Sequence, residues 1–246
     1  MSGHSHAANI AVKKAKTDAA KGKIFTKVGR EIAVAAKNNP DPNTNSKLAD
    51  AIAKAKAANM PNDNIKRCIA KASGELSGDN YEELTYEGYG PAGSAVIIKT
   101  LTDNKNRTVD YVRTAMRKHG GSLGNAGCVS FTFSTMGVIV IERNPELSED
   151  IVMEYALDAG ADDFIAEDDA FVVHTAVANF SAVRKYLEEK GLNFFSAQVE
   201  MLPQNKITLS SEDLVKFNKL VDALEDLDDV QNVYHNVDLP EEEDEE

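Results

Sequence analysis

The chain has 246 residues, 42% of them hydrophobic, and a formal net charge of −13. This length allows one large domain or two to three small ones, and the composition is that of a globular protein. The apolar runs are too short for a membrane span and the first residues lack the apolar core of a signal peptide, so we expect a cytoplasmic protein. Cys68 and Cys128 match no metal-binding spacing, so we expect both to be free thiols. We expect no metal and no cofactor.

The charge is divided unevenly along the chain. The first 75 residues hold 14 basic and 6 acidic side chains, whereas the remainder holds 13 basic and 34 acidic ones. This asymmetry indicates a basic contact surface attached to an acidic body. The last six residues are all acidic, and residues 239–246 are expected to form an acidic tail.

The first 75 residues predict three short helices around one small core. From Ile24 onward the apolar positions follow a helical period, and the segment Asn38–Asn43, which holds two prolines, ends this helix. Ser46 is expected to cap a second helix, and Pro61 to open a third. We therefore expect residues 1–75 to form a basic, helical nucleic-acid-binding domain.

A cluster of basic residues accompanies the first of these helices. At 100° per residue several of its members fall on one flank, apart from the apolar stripe, and only Asp18 and Glu31 oppose them. The cluster is costly in repulsion unless an anion compensates it, and a phosphate backbone is the simplest candidate; a merely solvated face is the alternative. The predicted contacts are Lys13, Lys14, Lys16, Lys21, Lys23, Lys27, Arg30 and Lys37.

A connector rich in glycine and acidic residues follows and ends in Tyr86–Pro91. Beyond it we predict a buried strand over Ser94–Leu101 and a helix over Thr108–His119. A second basic group lies before and within this helix, where two arginines four residues apart share one face. An exposed face without a ligand explains this group equally well. Its predicted nucleic-acid contacts are Lys105, Arg107, Arg113, Arg117 and Lys118.

A glycine-rich loop, Gly120–Gly127, comes after this helix. It leads from a helix into a strand and no Gly-Lys-Ser/Thr follows it, so a helix end and a turn are favoured over a nucleotide-binding loop. The next segment, Cys128–Phe133, is predicted to be a strand. Its aromatic residues Phe131 and Phe133 resemble those that stack on bases in RNA-recognition strands, but core positions are favoured for both.

The remaining elements predict the fold class. From Gly137 to Met201 the order β-α-β-β-α-β is typical of a ferredoxin-like fold, and the elements on either side would complete a second such sheet. We therefore expect an α+β protein, in which a helical N-terminal domain is followed by two ferredoxin-like α/β domains, the second inserted into the first. The expected bounds are 1–75 for the helices, 80–134 plus 204–238 for the first sheet, and 135–203 for the insert.

Motifs typical of catalysis are absent from the sequence. Neither Gly-x-Ser-x-Gly nor His-Glu-x-x-His occurs, and the acidic group around Asp168 lacks the spacing of a calcium loop. An enzyme with a site in a cleft lined by Tyr86–Pro91 and Gly120–Gly127 is the alternative from another functional class. Because no pair of nucleophile and base supports it, we expect a protein that is not an enzyme.

Ten separated stretches of the sequence carry a family resemblance: Gly3–Ser5, Ala8–Ile10, Gly22–Lys27, Asn59–Pro61, Asp63–Ile65, Tyr86–Pro91, Leu101–Asn104, Asn106–Thr108, His119–Gly121 and Val233–Val237. Taken together, they resemble the YebC family, which includes the mitochondrial translational activator of cytochrome oxidase. The resemblance implies a helical N-terminal domain, two α/β domains around a cleft, and a regulator of gene expression that acts on DNA or on the ribosome. The chain departs from the family at His6 and Ala7, where many members carry Lys-Trp.

These observations together predict a regulator that binds nucleic acid mainly through phosphates and shape. Ribosomal RNA is favoured as the partner, because an acidic body with one basic face suits docking into a crowded RNA site. Duplex DNA, bound by a transcriptional regulator, is the alternative; neither a recognition helix nor a dimerisation segment is apparent for it. The sequence makes no prediction of the oligomeric state.

Overall fold

The computed structural model describes residues 18–73, 80–144 and 147–239, with side chains from residue 22 onward. It confirms the α+β class, because a group of N-terminal helices precedes two antiparallel four-stranded sheets. Within the described residues, every helix is too short or too polar to cross a membrane.

Three helices form the N-terminal group: α1 (Asp18–Ala36), α2 (Ser46–Ala57) and α3 (Asn62–Ala72). Their apolar stripes meet in one core, as predicted, with Ile32 and Leu48 fully buried at its centre. Burial of these stripes stabilises three helices that are each too short to be stable alone.

The cap of α2 differs from the prediction. Asn45, and not Ser46, occupies the N-cap position, and its side chain accepts a hydrogen bond from the backbone N–H of Leu48 at 3.1 Å. The same amide donates to the carbonyl oxygens of Ala35 and Asn39. Asn45 therefore joins the end of α1 to the start of α2, which a serine hydroxyl is too short to do.

The first sheet consists of β1 (Glu82–Tyr89), β2 (Ala95–Thr102), β3 (Ser122–Leu123) and β8 (Val230–His235), in the order β3-β1-β2-β8. Two helices, α4 (Lys105–Lys118) and α7 (Ser211–Glu225), cover one face of it. The core between sheet and helices is built from Val96, Ile98, Val112, Met116, Phe217, Leu220 and Leu224.

Strand β1 corrects the prediction of a connector before Pro91. Its eight residues pair in register with β2, from Glu82 opposite Thr102 to Tyr89 opposite Ala95. The strand was missed because most of its residues are polar or exposed, so its apolar signal is weak. As a result, a direct hairpin joins the two central strands of this sheet, and its strand order differs from that of the second sheet.

The second sheet contains β4 (Phe133–Glu142), β5 (Asp163–Ala166), β6 (Ala170–Thr175) and β7 (Phe194–Pro203), in the order β5-β6-β4-β7. Helices α5 (Glu149–Asp158) and α6 (Phe180–Glu189) pack on one face of it, as the ferredoxin-like pattern predicts. The two sheets meet through a small apolar cluster that includes Ile97 and Phe133.

The segment before β4 also corrects a prediction. Residues Ser130–Thr132 form a 3₁₀ turn, and β4 begins only at Phe133. Phe133 is buried, as predicted, whereas the side chain of Phe131 is 73% exposed and does not belong to the core. The expected strand does not form, because the backbone N–H groups of Gly127, Val129 and Ser130 bind the buried carboxylate of Glu87.

Candidate nucleic-acid interface

The basic flank of α1 faces the rest of the protein. Lys23 forms an ion pair with Asp226 at 2.7 Å, and the ammonium of Lys27 donates to the carbonyl oxygen of Glu225 at 2.9 Å. Both acceptors lie at the carboxyl end of α7, where unpaired carbonyls and the helix dipole favour cations. Burial lowers the pKa of Lys27, while the acidic residues around it act in the opposite direction.

Arg30 lies deepest in this contact. Its guanidinium donates to the carbonyl oxygens of Leu101 and Asp228 at 3.2 and 2.6 Å, and to the carboxylate of Asp229 at 2.8 Å. Arg30 also lies over the ring of Tyr81. One arginine of α1 thus contacts the end of β2, the loop after α7 and the residue that precedes β8.

Asp229 is the centre of this interdomain contact, with a side chain only 7% exposed. Besides Arg30, it accepts hydrogen bonds from Arg107 at 2.9 Å and from Thr108 at 2.7 Å. Burial alone would raise the pKa of this carboxyl, but the hydrogen bonds from Thr108, Arg107 and Arg30 outweigh burial and keep the pKa below its ordinary value. The residue was not singled out from the sequence, because its partners are more than 100 positions away.

The second predicted basic group lies on α4, whose inner face packs on the first sheet. Lys105 pairs with Glu82 at 2.5 Å and Arg113 with Asp110 at 3.2 Å; both pairs are exposed. Arg117 and Lys118 are exposed, and neither side chain has a hydrogen bond or an ion pair within the part of the chain that the structure describes. Arg107, by contrast, is held by Asp103 and Asp229. The outer surface of α4 therefore presents cations to solvent. It is called here the α4 face, and its cations are Lys105, Arg113, Arg117 and Lys118.

The remaining predicted contacts are in the N-terminal region. Lys13, Lys14, Lys16 and the side chain of Lys21 lie outside the described residues. Lys37 is exposed and donates to the side-chain oxygen of Asn80. The sequence interpretation did not single out three exposed cations of α3 that have no side-chain partner among the described residues. They are Lys66, Arg67 and Lys71, and helical phasing against the inward-facing Ile65 and Ile69 would have found them.

Glu87 on β1 holds the loop that leads to the 3₁₀ turn. Its carboxylate, in a side chain that is buried, accepts hydrogen bonds from the backbone N–H groups of Gly127, Val129 and Ser130 at 2.8 to 2.9 Å. Burial acts to raise the pKa of Glu87, but these three bonds outweigh it and lower the pKa. Since a carboxylate of the protein already occupies these N–H groups, they are not available to a phosphate.

The two segments considered for an enzyme cleft lie together, but they are paired and not separated by a cleft. Gly88 and Tyr89 of β1 form bridges with Leu123 and Ser122 of the glycine-rich loop. A Cβ atom on Gly88 would lie 2.3 Å from the carbonyl oxygen of Ser122, so glycine is required for this approach. A cleft elsewhere, between α1 and both sheets, is lined by other residues, including Lys99 and Tyr234.

Side chains suited to metal binding do not gather in the described residues, where no group of three or more His, Cys, Asp or Glu could hold an ion. Cys68 and Cys128 are free thiols, as predicted, and both are partly buried. Burial raises the pKa of each thiol, which lowers its reactivity.

Fold and surface together define a class: a three-part α+β protein with an acidic body, a docked helical N-terminal group and an outward-facing basic helix. Family models of TACO1/YebC proteins match nearly the whole chain, the N-terminal domain over residues 5–75 and the second and third domain over residues 81–237. The chain belongs to the TACO1/YebC family, which confirms the resemblance found in the sequence.

Individual relatives agree with this assignment. The chain is 59% identical over 238 residues to a probable transcriptional regulatory protein of Acetivibrio thermocellus, covering 96% of this chain and 98% of the relative. It is 56% identical over 242 residues to the probable transcriptional regulatory protein ORF2U of Hathewaya histolytica, with 98% of each covered. The crystal structure of a conserved hypothetical protein from Aquifex aeolicus is similar with a TM-score of 0.83 and 42% identity, covering 94% of this chain and 96% of that one.

Proposed function

We propose that this protein is a non-enzymatic regulator of gene expression that binds nucleic acid through phosphate contacts. The regulatory role is supported by relatives named probable transcriptional regulatory proteins. The binding role is supported above all by one observation. In a chain of net charge −13, the α4 face keeps Arg117 and Lys118 exposed and without an internal partner among the described residues.

Two further cations of the α4 face are available to a phosphate. Lys105 and Arg113 are held only by exposed ion pairs, and such pairs stabilise proteins by about 0–1 kcal/mol. A phosphate that forms charge-assisted hydrogen bonds with these side chains therefore displaces Glu82 and Asp110 at little cost.

The proposed surface extends to the N-terminal region but leaves out part of the predicted cluster. We include Lys13, Lys14, Lys16, Lys21 and Lys37 from the sequence prediction, and add the exposed cations of α3. We leave out Lys23, Lys27, Arg30 and Arg107, because their side chains hold the contact around Asp229 and the end of α7, where they bind at 2.6 to 3.2 Å. Pulling Arg30 and Arg107 away would leave the buried carboxylate of Asp229 without its two cations.

Ribosomal RNA is the partner that we favour. The acidic body repels a free polyanion on most sides, so productive contact requires the basic surfaces to be presented to phosphates in a fixed orientation. A folded RNA offers phosphates on several sides of a cavity, whereas a duplex offers one convex surface. Duplex DNA is the second candidate, because relatives of this chain are named probable transcriptional regulatory proteins.

Co-sedimentation with ribosomes at rising salt concentration, beside band-shift assays on duplex DNA, tests this proposal. We expect the protein to sediment with ribosomes at low salt and to dissociate as salt rises, because counterions are released when cations bind phosphates. Salt-sensitive band shifts without ribosome binding would support the transcriptional alternative. Failure to bind either partner at low salt would overturn the proposed function.

A further inference from the structure

A pocket lies between α1 and α3, on the helical N-terminal group. It has a cavity volume of about 230 Å³, and its wall combines apolar and polar side chains. The two helices approach each other closely beside it, since a Cβ atom on Gly29 would lie only 3.3 Å from the sulfur of Cys68. Both helices contribute to the core of the group, which holds the wall in place. The lining residues are Phe25, Thr26, Met60, Asn64, Arg67 and Cys68.

One side of α3 brings two cations to this pocket. Residues at the spacing i, i+3, i+4 and i+7 share one side of a helix. On α3 they are Asn64, Arg67, Cys68 and Lys71. Arg67 and Lys71 are exposed and have no side-chain partner within the part of the chain that the structure describes. Burial raises the pKa of the Cys68 thiol, and the charges of Lys71 and Arg67 oppose this rise because both lie near the sulfur.

The side-chain amide of Asn64 is free to bind a ligand. The residue is partly buried, and its amide has no hydrogen-bond partner among the described residues. An amide offers a donor and an acceptor side by side, and it is stabilised by a ligand that offers the complementary pair. Adenine carries such a pair on one edge, with the acceptor N7 beside the N6 amino group.

The size and the charge of the pocket restrict the ligand further. Its volume is below the range of about 300–1,000 Å³ that is typical for drug-sized ligands, so it suits a single ring system. Phe25 and Met60 provide an apolar surface for such a ring. None of the six lining residues is acidic, whereas the cleft between α1 and both sheets contains Glu31 and Glu83, which repel phosphates. The pocket therefore suits a base that is attached to phosphates.

We propose that this pocket takes up one unpaired adenine base of a nucleic-acid strand, while Arg67 and Lys71 bind the phosphates next to it. Phe25 and Met60 contact the ring, and the amide of Asn64 donates to N7 and accepts from the N6 amino group. This inference rests on the proposed function and adds a base contact to its phosphate contacts. The base must be unpaired, since a base that is stacked inside a duplex does not reach into a pocket.

Strands that carry a single base test the proposal. A strand of twelve abasic deoxyribose phosphates is compared with strands that hold one adenine at the centre, attached to deoxyribose or to ribose. All three strands offer phosphates at the same spacing, so a difference in affinity reports the base. We expect the adenine strands to bind about 5- to 150-fold more tightly than the abasic strand. Adenosine monophosphate should bind more weakly than either adenine strand, because it offers only one phosphate.

Replacement of Asn64 locates the contact on the protein. We expect Asn64→Ala to bind the adenine strands about 5- to 150-fold more weakly and to keep the parent affinity for the abasic strand. The matched control is Asn62→Ala, an exposed asparagine of the same helix that does not line the pocket. It should bind all strands as the parent does. Since neither amide has a partner among the described residues, both variants should unfold at the urea concentration of the parent.

Replacement of Arg67 separates the phosphate contact from the base contact. We expect Arg67→Met to weaken binding of the abasic strand and of the adenine strands by the same factor, because the side chain contacts phosphates that all strands share. Unchanged affinity of Arg67→Met for every strand would overturn the role of Arg67 in the proposed site.

The remaining outcomes distinguish the two proposals. Equal affinities for the two adenine strands support recognition of the base alone, and tighter binding of one of them identifies RNA or DNA as the source of the base. Equal affinities of the parent for the adenine and abasic strands, or equal effects of Asn64→Ala and Asn62→Ala, overturn the base pocket and leave the proposed function standing. Tighter binding of adenosine monophosphate than of the strands overturns a strand as the ligand. Absence of binding to the strands, to ribosomes and to duplex DNA overturns both proposals.

Discussion

Asp229 joins three parts of the molecule through one carboxylate, which binds Arg30 of α1, Arg107 of α4 and Thr108. Replacing it with asparagine removes the charge, so that Arg30 loses its carboxylate partner and Arg107 keeps only Asp103. We expect Asp229→Asn to lower the free energy of unfolding by about 3 kcal/mol or more in urea titrations.

Asp226→Asn is the matched control for this substitution. Asp226 is mostly exposed and its one ion pair among the described residues is with Lys23, so its replacement should cost about 1 kcal/mol or less. Equal unfolding midpoints for the two variants would show that Asp229 does not hold the interdomain contact.

The depressed pKa values of Asp229 and Glu87 predict loss of stability in acid. Each carboxyl has a lower pKa in the folded chain than in the unfolded chain, where it is about 4. Their stabilisation is therefore complete above that pH and is lost as the pH falls through the lower, folded values. Urea titrations at pH 7, 5 and 3 should show a marked fall below pH 5, and a smaller one in a Glu87→Gln, Asp229→Asn double variant. An identical fall in the double variant would assign the acid sensitivity to other groups.

At the scale of elements, the loop between β3 and β4 depends on Glu87. We expect Glu87→Gln to cost about 1–3 kcal/mol, because a charge-assisted set of three hydrogen bonds is weakened. Hydrogen exchange should accelerate at Gly127, Val129 and Ser130. Glu83→Gln, an exposed position on the same strand, is the control and should change neither property. Unchanged exchange in Glu87→Gln would mean that the loop is held by other contacts.

Helix α1 and helix α4 both carry cations, but their roles are expected to differ. Arg30→Met should destabilise the protein by about 3 kcal/mol, because Asp229 then loses one of its two cations in a buried site. Arg117→Met should change the unfolding free energy by less than about 0.5 kcal/mol, since its side chain is exposed. Comparable urea midpoints for the two variants would contradict the assignment of α1 to docking.

The sequence predicted those elements whose apolar period is strong. The stripe around Ile32 and the β-α-β-β-α-β order of the second sheet were confirmed, because burial imposes a regular pattern on such residues. Strand β1 was not predicted, because its buried residues include Glu87. The carboxylate of Glu87 is stabilised by a loop about 40 residues away in the sequence. The sequence also gives no sign of the hydrogen bonds between this loop and Glu87, and Phe131 was therefore assigned to a strand that does not form.

The candidate site was predicted less completely than the fold. Helical phasing correctly placed Lys23, Lys27 and Arg30 together on one flank, but the same geometry suits a phosphate backbone or an acidic helix end. The acceptors on α7 are about 200 residues distant, and a single sequence gives no signal of that contact. The remaining nucleic-acid contacts and the bounds of the three domains stay predictions.

For the whole molecule, the charge asymmetry of the sequence has two physical consequences. Part of the basic N-terminal region is neutralised against the acidic end of α7, which fixes the helical group on the body. The cations left over, on α3 and on the α4 face, are directed to solvent. We therefore expect a chain of net charge −13 to bind an anionic partner in orientations that present these surfaces and the basic N-terminal region.

The central claim is that the α4 face binds the phosphates of a nucleic acid, and a salt titration tests it most directly. The affinity for ribosomal RNA is measured at increasing salt for the parent and for a triple variant that combines Arg113→Glu, Arg117→Glu and Lys118→Glu. A control variant combines Lys185→Glu on α6, Lys190→Glu at the end of α6 and Lys216→Glu on α7. The account predicts that the first variant binds more weakly and that its log–log salt slope is shallower by about 2, since each phosphate contact contributes about 0.7. It also predicts that the affinity and the salt slope of the control lie closer to those of the parent than those of the α4 variant do. Equal affinities and slopes for the parent and the α4 variant would contradict the account.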